Sequence, residues 1–93
     1  MYIIKYDDIF EVPMTARKHN PINVEYETKA KNILKGELKR RGVTYAQLAE
    51  RLSELGIEEN ERNLNNKISR GGFSTAFFLE CLDAIGVEKV DLF

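Results

Sequence analysis

Residues 60–72, NERNLNNKISRGG, combine four asparagines and three cations with only two large apolar side chains, Leu64 and Ile68. Asparagine is a poor helix former because its amide competes for backbone hydrogen bonds. Amide and guanidinium groups are also the groups that read base edges, since asparagine pairs with adenine and arginine with guanine or phosphate. The segment is therefore either a polar loop or a helix whose outer face meets a partner.

A helical wheel separates the two kinds of side chain in this segment. With Leu64 at 0° and about 100° per residue, Ile68 falls at about 40°, so the buried edge is narrow. The opposite side holds only polar and basic residues, which suits the major groove of DNA. A solvated polar face is the alternative for any one such helix. The outward residues are Arg62, Asn66, Ser69 and Arg70, with Asn63, Asn65 and Lys67 beside them.

A second basic stretch precedes this segment. Residues 28–41 contain six cations and one acid, although the whole chain has a net charge of −1. If the stretch is helical, Leu34 and Leu38 point inward, and the outward cations are candidate phosphate contacts. A solvated helix face or an amphipathic membrane helix are the alternatives, and the latter would need an aromatic apolar face. The candidates are Lys35, Lys39 and Arg40.

Helix start and stop signals indicate the elements that would position these side chains. The period becomes helical at Asn23, with an apolar stripe that includes Tyr26, and Gly42 is placed to end this first helix. Thr44 and Gln47 then have the spacing of a capping box. The apolar face of the second helix consists of Leu48, Ala49, Leu52 and Leu55.

Two further helices are predicted by the same signals. Asn60 is a candidate N-cap and Gly71 a candidate end for the polar segment, and Ser74 caps a last helix in which Phe73 can pack on Phe78. The sequence therefore predicts an all-α fold, a compact bundle of four to five helices over residues 23–93, preceded by an extended arm or short strand over residues 1–22. The predicted core consists of Leu38, Leu48, Leu52, Leu64, Ile68, Phe77, Phe78, Leu82 and Ile85.

Composition limits the class of protein. A chain of 93 residues with 43% hydrophobic and 31% charged residues suits one globular domain, or one domain with an arm. No apolar run approaches the length of a membrane span, and the start MYIIKYDDIF becomes charged too early for a signal peptide. The single Cys81 suits a reducing compartment. We therefore expect a cytoplasmic protein that does not enter the membrane.

Catalysis and metal binding have no support in the residues present. His19 is the only histidine and Cys81 the only cysteine, and neither has the partners that a metal site or a nucleophile–base pair requires. Cys81 lies on the apolar stripe of the last helix, which is typical of a buried structural thiol. We expect no enzymatic activity, no cofactor and no metal.

The order of these segments is similar to a known arrangement. GVTYAQLAERL, a short polar helix ending in ISRG, and FSTAFFLECLDAIGV together resemble lambda-repressor-like (Cro/C1, XRE-type) domains. Over residues 28–92 the chain is more closely similar to a small bacterial domain family of unknown function. The resemblance implies that residues 44–47 open the first helix of a helix-turn-helix, that residues 60–70 form the recognition helix, and that Ser74 and Thr75 start the next helix.

The resemblance implies a sequence-specific DNA-binding protein, a small prokaryotic or phage-type transcriptional regulator. At the start of the preceding helix, Thr44, Tyr45 and Gln47 are then candidate phosphate contacts. One such module buries too little surface for tight specific binding of double-stranded DNA, so two copies are expected to act together. The apolar and aromatic residues 1–12 are a candidate for pairing them as a homodimer, and folding back onto the domain's own helices is the alternative.

A protein–protein interaction module that keeps the fold without binding DNA is the competing hypothesis. A protein partner is favoured by the isoelectric point of about 5.8 and by three acids near the supposed recognition helix, Glu58, Glu59 and Glu61. Fold alone does not distinguish the two functions.

Overall fold

The computed structural model of the protein describes residues 21–92. This part of the chain forms four α-helices and no strand, which confirms the all-α prediction for it. The first helix begins at Pro21 rather than at Asn23, because proline is well tolerated in the first turn. The predicted arm up to residue 20, with His19, lies outside the described residues. The helices are α1 (Pro21–Arg40), α2 (Tyr45–Glu54), α3 (Glu61–Arg70) and α4 (Thr75–Ala84).

Helices α1 and α2 each pack against both α3 and α4, so the four helices surround one core in the order α1, α3, α2, α4. Every predicted core residue except Phe78 is buried there. Three residues outside the predicted set, Leu34, Val43 and Cys81, are buried as well. The buried hydrophobic residues are Leu34, Leu38, Val43, Leu48, Leu52, Leu64, Ile68, Phe77, Cys81, Leu82 and Ile85.

Three side chains that the helical period placed on inner faces are less buried than predicted. Tyr26 is 66% exposed because α1, at 20 residues, is twice as long as α3 and its first turns extend past the end of its neighbour. Leu55 is 50% exposed because it is the C-cap of α2, where the helical register ends. Phe78 is half-buried and stacks on Phe73, with ring centroids 5.9 Å apart.

Side-chain caps fix where α2, α3 and α4 begin. The Thr44 hydroxyl accepts from the Gln47 amide N–H at 3.1 Å, and the Gln47 side-chain oxygen accepts from the Thr44 N–H at 2.9 Å. Asn60 Oδ1 accepts from the Asn63 N–H at 2.8 Å, and Ser74 caps α4 in the same manner. The predicted caps are therefore confirmed, and each satisfies an amide that a helix start leaves without a partner.

Helices α1, α2 and α4 end alike, in the sequences LKRRGV, LSELGI and LDAIGV. In each, the amide after the glycine donates to the carbonyl of the leucine at 2.9 Å, which is the hydrogen bond of a Schellman ending. The β-branched residues after the glycines, Val43, Ile57 and Val87, return to the core. Helix α3 ends differently, at the pair Gly71 and Gly72.

Gly71, at the end of α3, closely approaches the backbone of α1. Its φ is +82°, and a Cβ there would lie 3.2 Å from the carbonyl oxygen of Glu27. We expect Gly71→Ala to lower the free energy of unfolding by more than the roughly 1–2 kcal/mol that a left-handed alanine costs, because two backbones must separate. Denaturant titration measures the loss.

Gly42→Ala is the matched control for this prediction. Gly42 also has a positive φ, +67°, but no atom lies within 4 Å of a Cβ built there. The difference between the two variants therefore isolates the close approach of α1 to α3. Equal losses would show that α1 and α3 do not press together at Gly71.

Candidate nucleic-acid interface

The outer face of α3 is arranged as the wheel predicts. Leu64 and Ile68 are fully buried, whereas the outward side chains are exposed. Within residues 21–92, Arg62 and Asn66 make no hydrogen bond or ion pair through their side chains. Their donors are therefore available to a partner. The exposed outward residues are Arg62, Asn66, Ser69 and Arg70.

Asn65 and Ser69 form a contact along the helix surface. The Ser69 hydroxyl donates to Asn65 Oδ1 at 3.1 Å, which orients the Asn65 amide and leaves its nitrogen as a free donor. Asn63 is exposed, and its backbone N–H is used by the cap on Asn60. Asn63 and Asn65 are thus exposed beside the outer face, and Asn65, which the Ser69 hydroxyl contacts, is the more constrained amide of the two.

Lys67, predicted to lie beside the groove-reading residues, is turned toward the protein instead. Its ammonium forms an ion pair with Glu59 and lies 5.2 Å from the centre of the Phe77 ring in α4. The Glu59 side chain is only 7% exposed, so Lys67 supplies the charge partner of a nearly buried carboxylate. Moving Lys67 to a phosphate would leave that carboxylate unpaired, which is costly. The pair fixes the α2–α3 connection against α3 and α4.

Arg40, predicted as a phosphate contact, is paired with Glu37, which is a buried residue of α1. Arg41 lies beside the same carboxylate, with Nε 3.6 Å from it, and also donates to the carbonyl of Ile85 at 3.3 Å. The cluster therefore ties the end of α1 to the end of α4. The burial of Glu37 was not predicted from the sequence. A helical wheel could have indicated it, because Glu37 lies about 60° from Leu34, at the border of the apolar stripe.

A groove brings together several of the predicted phosphate contacts. Lys35 and Lys39 of α1 line it with Thr44 and Tyr45 at the start of α2, and Leu38 and Val43 contribute apolar surface. Tyr45 is half-buried, and burial raises the pKa of its hydroxyl. Gln47 is exposed one turn further along α2. Glu61, the first residue of α3, also lines the groove and adds one negative charge to it.

The acids that precede α3 lie on a different side. Glu58 and Glu59 line a separate groove with Ser53, Asn60 and Asn63. Helix α3 therefore has lysines beside its first turn in one groove and acids in the other. The first groove offers a polyanion two lysines beside one acid, Glu61, whereas the second groove has no cation in its lining and one acid without an ion-pair partner among the described residues, Glu58.

The family model for a domain of unknown function (DUF6471) matches residues 26–90, more than two thirds of the chain. The chain belongs to this family. The match agrees with the predicted similarity to a domain family of unknown function over residues 28–92. It contains all of α2, α3 and α4 and most of α1. No curated protein and no solved structure matches the chain.

All candidate site residues lie inside the DUF6471 domain, between Lys35 and Arg70. Its Cys81 is fully buried, and burial, followed by the charges of Glu80 and Glu59, raises the pKa of the thiol to about 12. Among residues 21–92, no three histidine, cysteine or acidic side chains are grouped so that they could hold a metal ion. None of the four described helices is long and apolar enough to cross a bilayer.

Proposed function

We propose that this DUF6471 domain binds double-stranded DNA sequence-specifically, with α2 and α3 acting as a helix-turn-helix of the lambda-repressor-like kind. The observation that carries the proposal is the exposed outer face of α3, on which Arg62 and Asn66 are unpaired within the described residues. An exposed helix face of amides and guanidinium groups fits the donor and acceptor pattern of the major groove. The domain then serves a small prokaryotic or phage-type transcriptional regulator in the cytoplasm.

The start of α2 supports the same proposal. The capping box uses the oxygens of Thr44 and Gln47 as acceptors, so the Thr44 hydroxyl hydrogen and the Gln47 side-chain nitrogen remain donors. A helix N-terminus attracts anions through its free amides and its dipole. Thr44, Tyr45 and Gln47 are thus phosphate contacts in this proposal, and they fix the approach of α3 to the groove.

Selection from a random duplex library tests the proposal. The full chain is incubated with the library at low salt, and bound duplexes are recovered and sequenced. We expect enrichment of one motif that contains adenine or guanine contacts for Asn66 and Arg62. A library that shows no enriched motif at low salt would contradict specific DNA binding.

A protein-binding module is the second candidate. Glu61 favours it, because this carboxylate lies in the same groove as Lys35 and Lys39 and would oppose a phosphate there. The exposed Glu58 of the neighbouring groove extends the negative surface. The library selection separates the two candidates, since a module that binds only protein enriches no DNA motif.

Two copies of the chain act together in this proposal, paired through residues 1–12. The segment is rich in large apolar and aromatic residues, among them Tyr2, Ile3, Ile4 and Tyr6, in addition to the core that α1–α4 supply. We expect deletion of residues 1–12 to convert a dimer into a monomer in sedimentation velocity, with the melting temperature unchanged at low concentration. A full-length chain that is monomeric at high micromolar concentration would contradict the pairing.

A further inference from the structure

Helix α1 runs antiparallel to α3 along one side of it. At the C-terminal end of α3, Gly71 is packed against Glu27 and Lys31, near the middle of α1. At the N-terminal end of α3, Glu61 shares a groove with Lys35 and Lys39 in the second half of α1. The stretch of α1 from residue 31 to residue 39 therefore follows the whole length of α3.

Three lysines lie on the part of α1 that follows α3. Lys31, Lys35 and Lys39 recur every four residues and fall at about 60°, 100° and 140° from Leu34 on the wheel. The Cβ of Lys31 is 3.6 Å from the position that a Cβ on Gly71 would take, so its stem lies against the end of α3. Arg40 falls on the other side of α1, where Glu37 holds it. Within residues 21–92, none of the three lysines has an ion-pair partner.

We infer that Lys31, Lys35 and Lys39 form a row of phosphate contacts that holds one DNA strand along α1 while α3 occupies the adjacent groove. The inference rests on the proposed function. It adds Lys31 as a contact, and it places the duplex on the α1 side of α3. The row covers about 12 Å along α1 at 1.5 Å per residue. Since one strand carries a phosphate about every 3.4 Å of duplex axis, each lysine can meet its own phosphate.

The row also gives the interface a direction. The lysines flank α3 on the α1 side, whereas Glu58 and Glu59 occupy the groove with Ser53 of α2. A strand placed over α1 gains three cation contacts, and a strand placed over the acidic groove gains none there. Phosphate contacts carry no base information, so the row sets affinity and orientation while α3 sets sequence preference.

Salt titration of binding tests the row. Affinity of the full chain for the selected duplex is measured from 50 to 200 mM salt for the wild type, Lys31→Gln and a Lys31/Lys35/Lys39 triple glutamine variant. Each lost contact is expected to reduce the slope of log affinity against log salt by about 0.9. Over this fourfold range the triple variant should therefore lose about 40-fold less affinity than the wild type.

Lys89→Gln is the control for Lys31→Gln, because both variants lose one positive charge. Lys89 is exposed in the tail after α4, next to Asp91, which lines a groove on the Glu37 and Arg40 side of α1. The slope of the Lys89→Gln variant should match that of the wild type. Because salt also changes folding stability, circular dichroism of each variant at 50 and 200 mM salt measures the folded fraction, and a change of slope at a constant folded fraction reports lost contacts.

The outcomes are separable. Slopes that fall for Lys31→Gln and further for the triple variant, with Lys89→Gln unchanged, support the row. If the wild type binds its selected duplex and the triple variant has the same slope of log affinity against log salt, the row is overturned and DNA binding is not. A wild type that binds no duplex at low salt overturns both.

Discussion

Leu64→Ala is expected to lower the free energy of unfolding by about 2–5 kcal/mol, the range for leucine truncation in a packed core. Leu64 is fully buried and is one of only two apolar side chains that attach α3 to the rest of the domain. In a domain of this size each kcal/mol corresponds to roughly 4–8 °C of melting temperature, so the transition should fall by at least about 8 °C. Thermal unfolding followed by circular dichroism measures the change.

Leu79→Ala is the matched control for Leu64→Ala. Leu79 is 57% exposed on α4, and truncation of an exposed side chain changes stability by about 0.5 kcal/mol or less. The same chemical change is thus expected to produce very different results at the two sites. A Leu64→Ala variant that melts with the wild type would show that α3 is not docked through Leu64.

Asn66→Ala and Arg62→Ala are each expected to weaken binding to the selected duplex by about 1–3 kcal/mol, or roughly 5- to 150-fold in affinity. Both side chains are exposed and unpaired within residues 21–92, so their loss should leave the fold intact. The loss should be smaller on a scrambled duplex, because a base contact has value only at its own base. Fluorescence anisotropy on the two duplexes measures the difference.

Lys39→Ala provides the comparison for those two variants. Lys39 is exposed on α1, and removal of a phosphate contact should weaken the selected and the scrambled duplex alike. Base readers and phosphate contacts are thereby distinguished in one assay. An Asn66→Ala variant that loses the same affinity on both duplexes would refute groove reading by α3.

Helix boundaries could be predicted from the sequence because their causes are local. Asn60, Ser74 and the Thr44–Gln47 pair cap the amides of their own first turns, and Gly71 ends its own helix. The period of apolar residues likewise predicted the buried faces of the three ten-residue helices, α2, α3 and α4. It failed at Tyr26, because burial there depends on how far α1 extends past its neighbour.

Side-chain partners could not be predicted in the same way. Lys67 pairs with Glu59, eight residues away and outside α3, so a wheel drawn for α3 alone cannot contain that contact. Lys31 was not among the predicted phosphate contacts, and its angle on α1 lies near the apolar stripe. Only the packing of α1 along α3 shows that this angle faces the flank of another helix rather than the core. Such partners depend on the relative placement of elements, which periodicity does not encode.

The division of α3 into two anchoring side chains and a free outer face has an evolutionary consequence. The anchors Leu64 and Ile68, the cap Asn60 and the terminal Gly71 do not overlap with the outward residues. Exchanging Arg62, Asn66, Ser69 and Arg70 for other exposed polar residues therefore changes stability little. If the outer face of α3 is the recognition surface that we propose, descendants of this gene can diverge in ligand while they inherit the same scaffold, and a designer can retarget the domain by the same four substitutions.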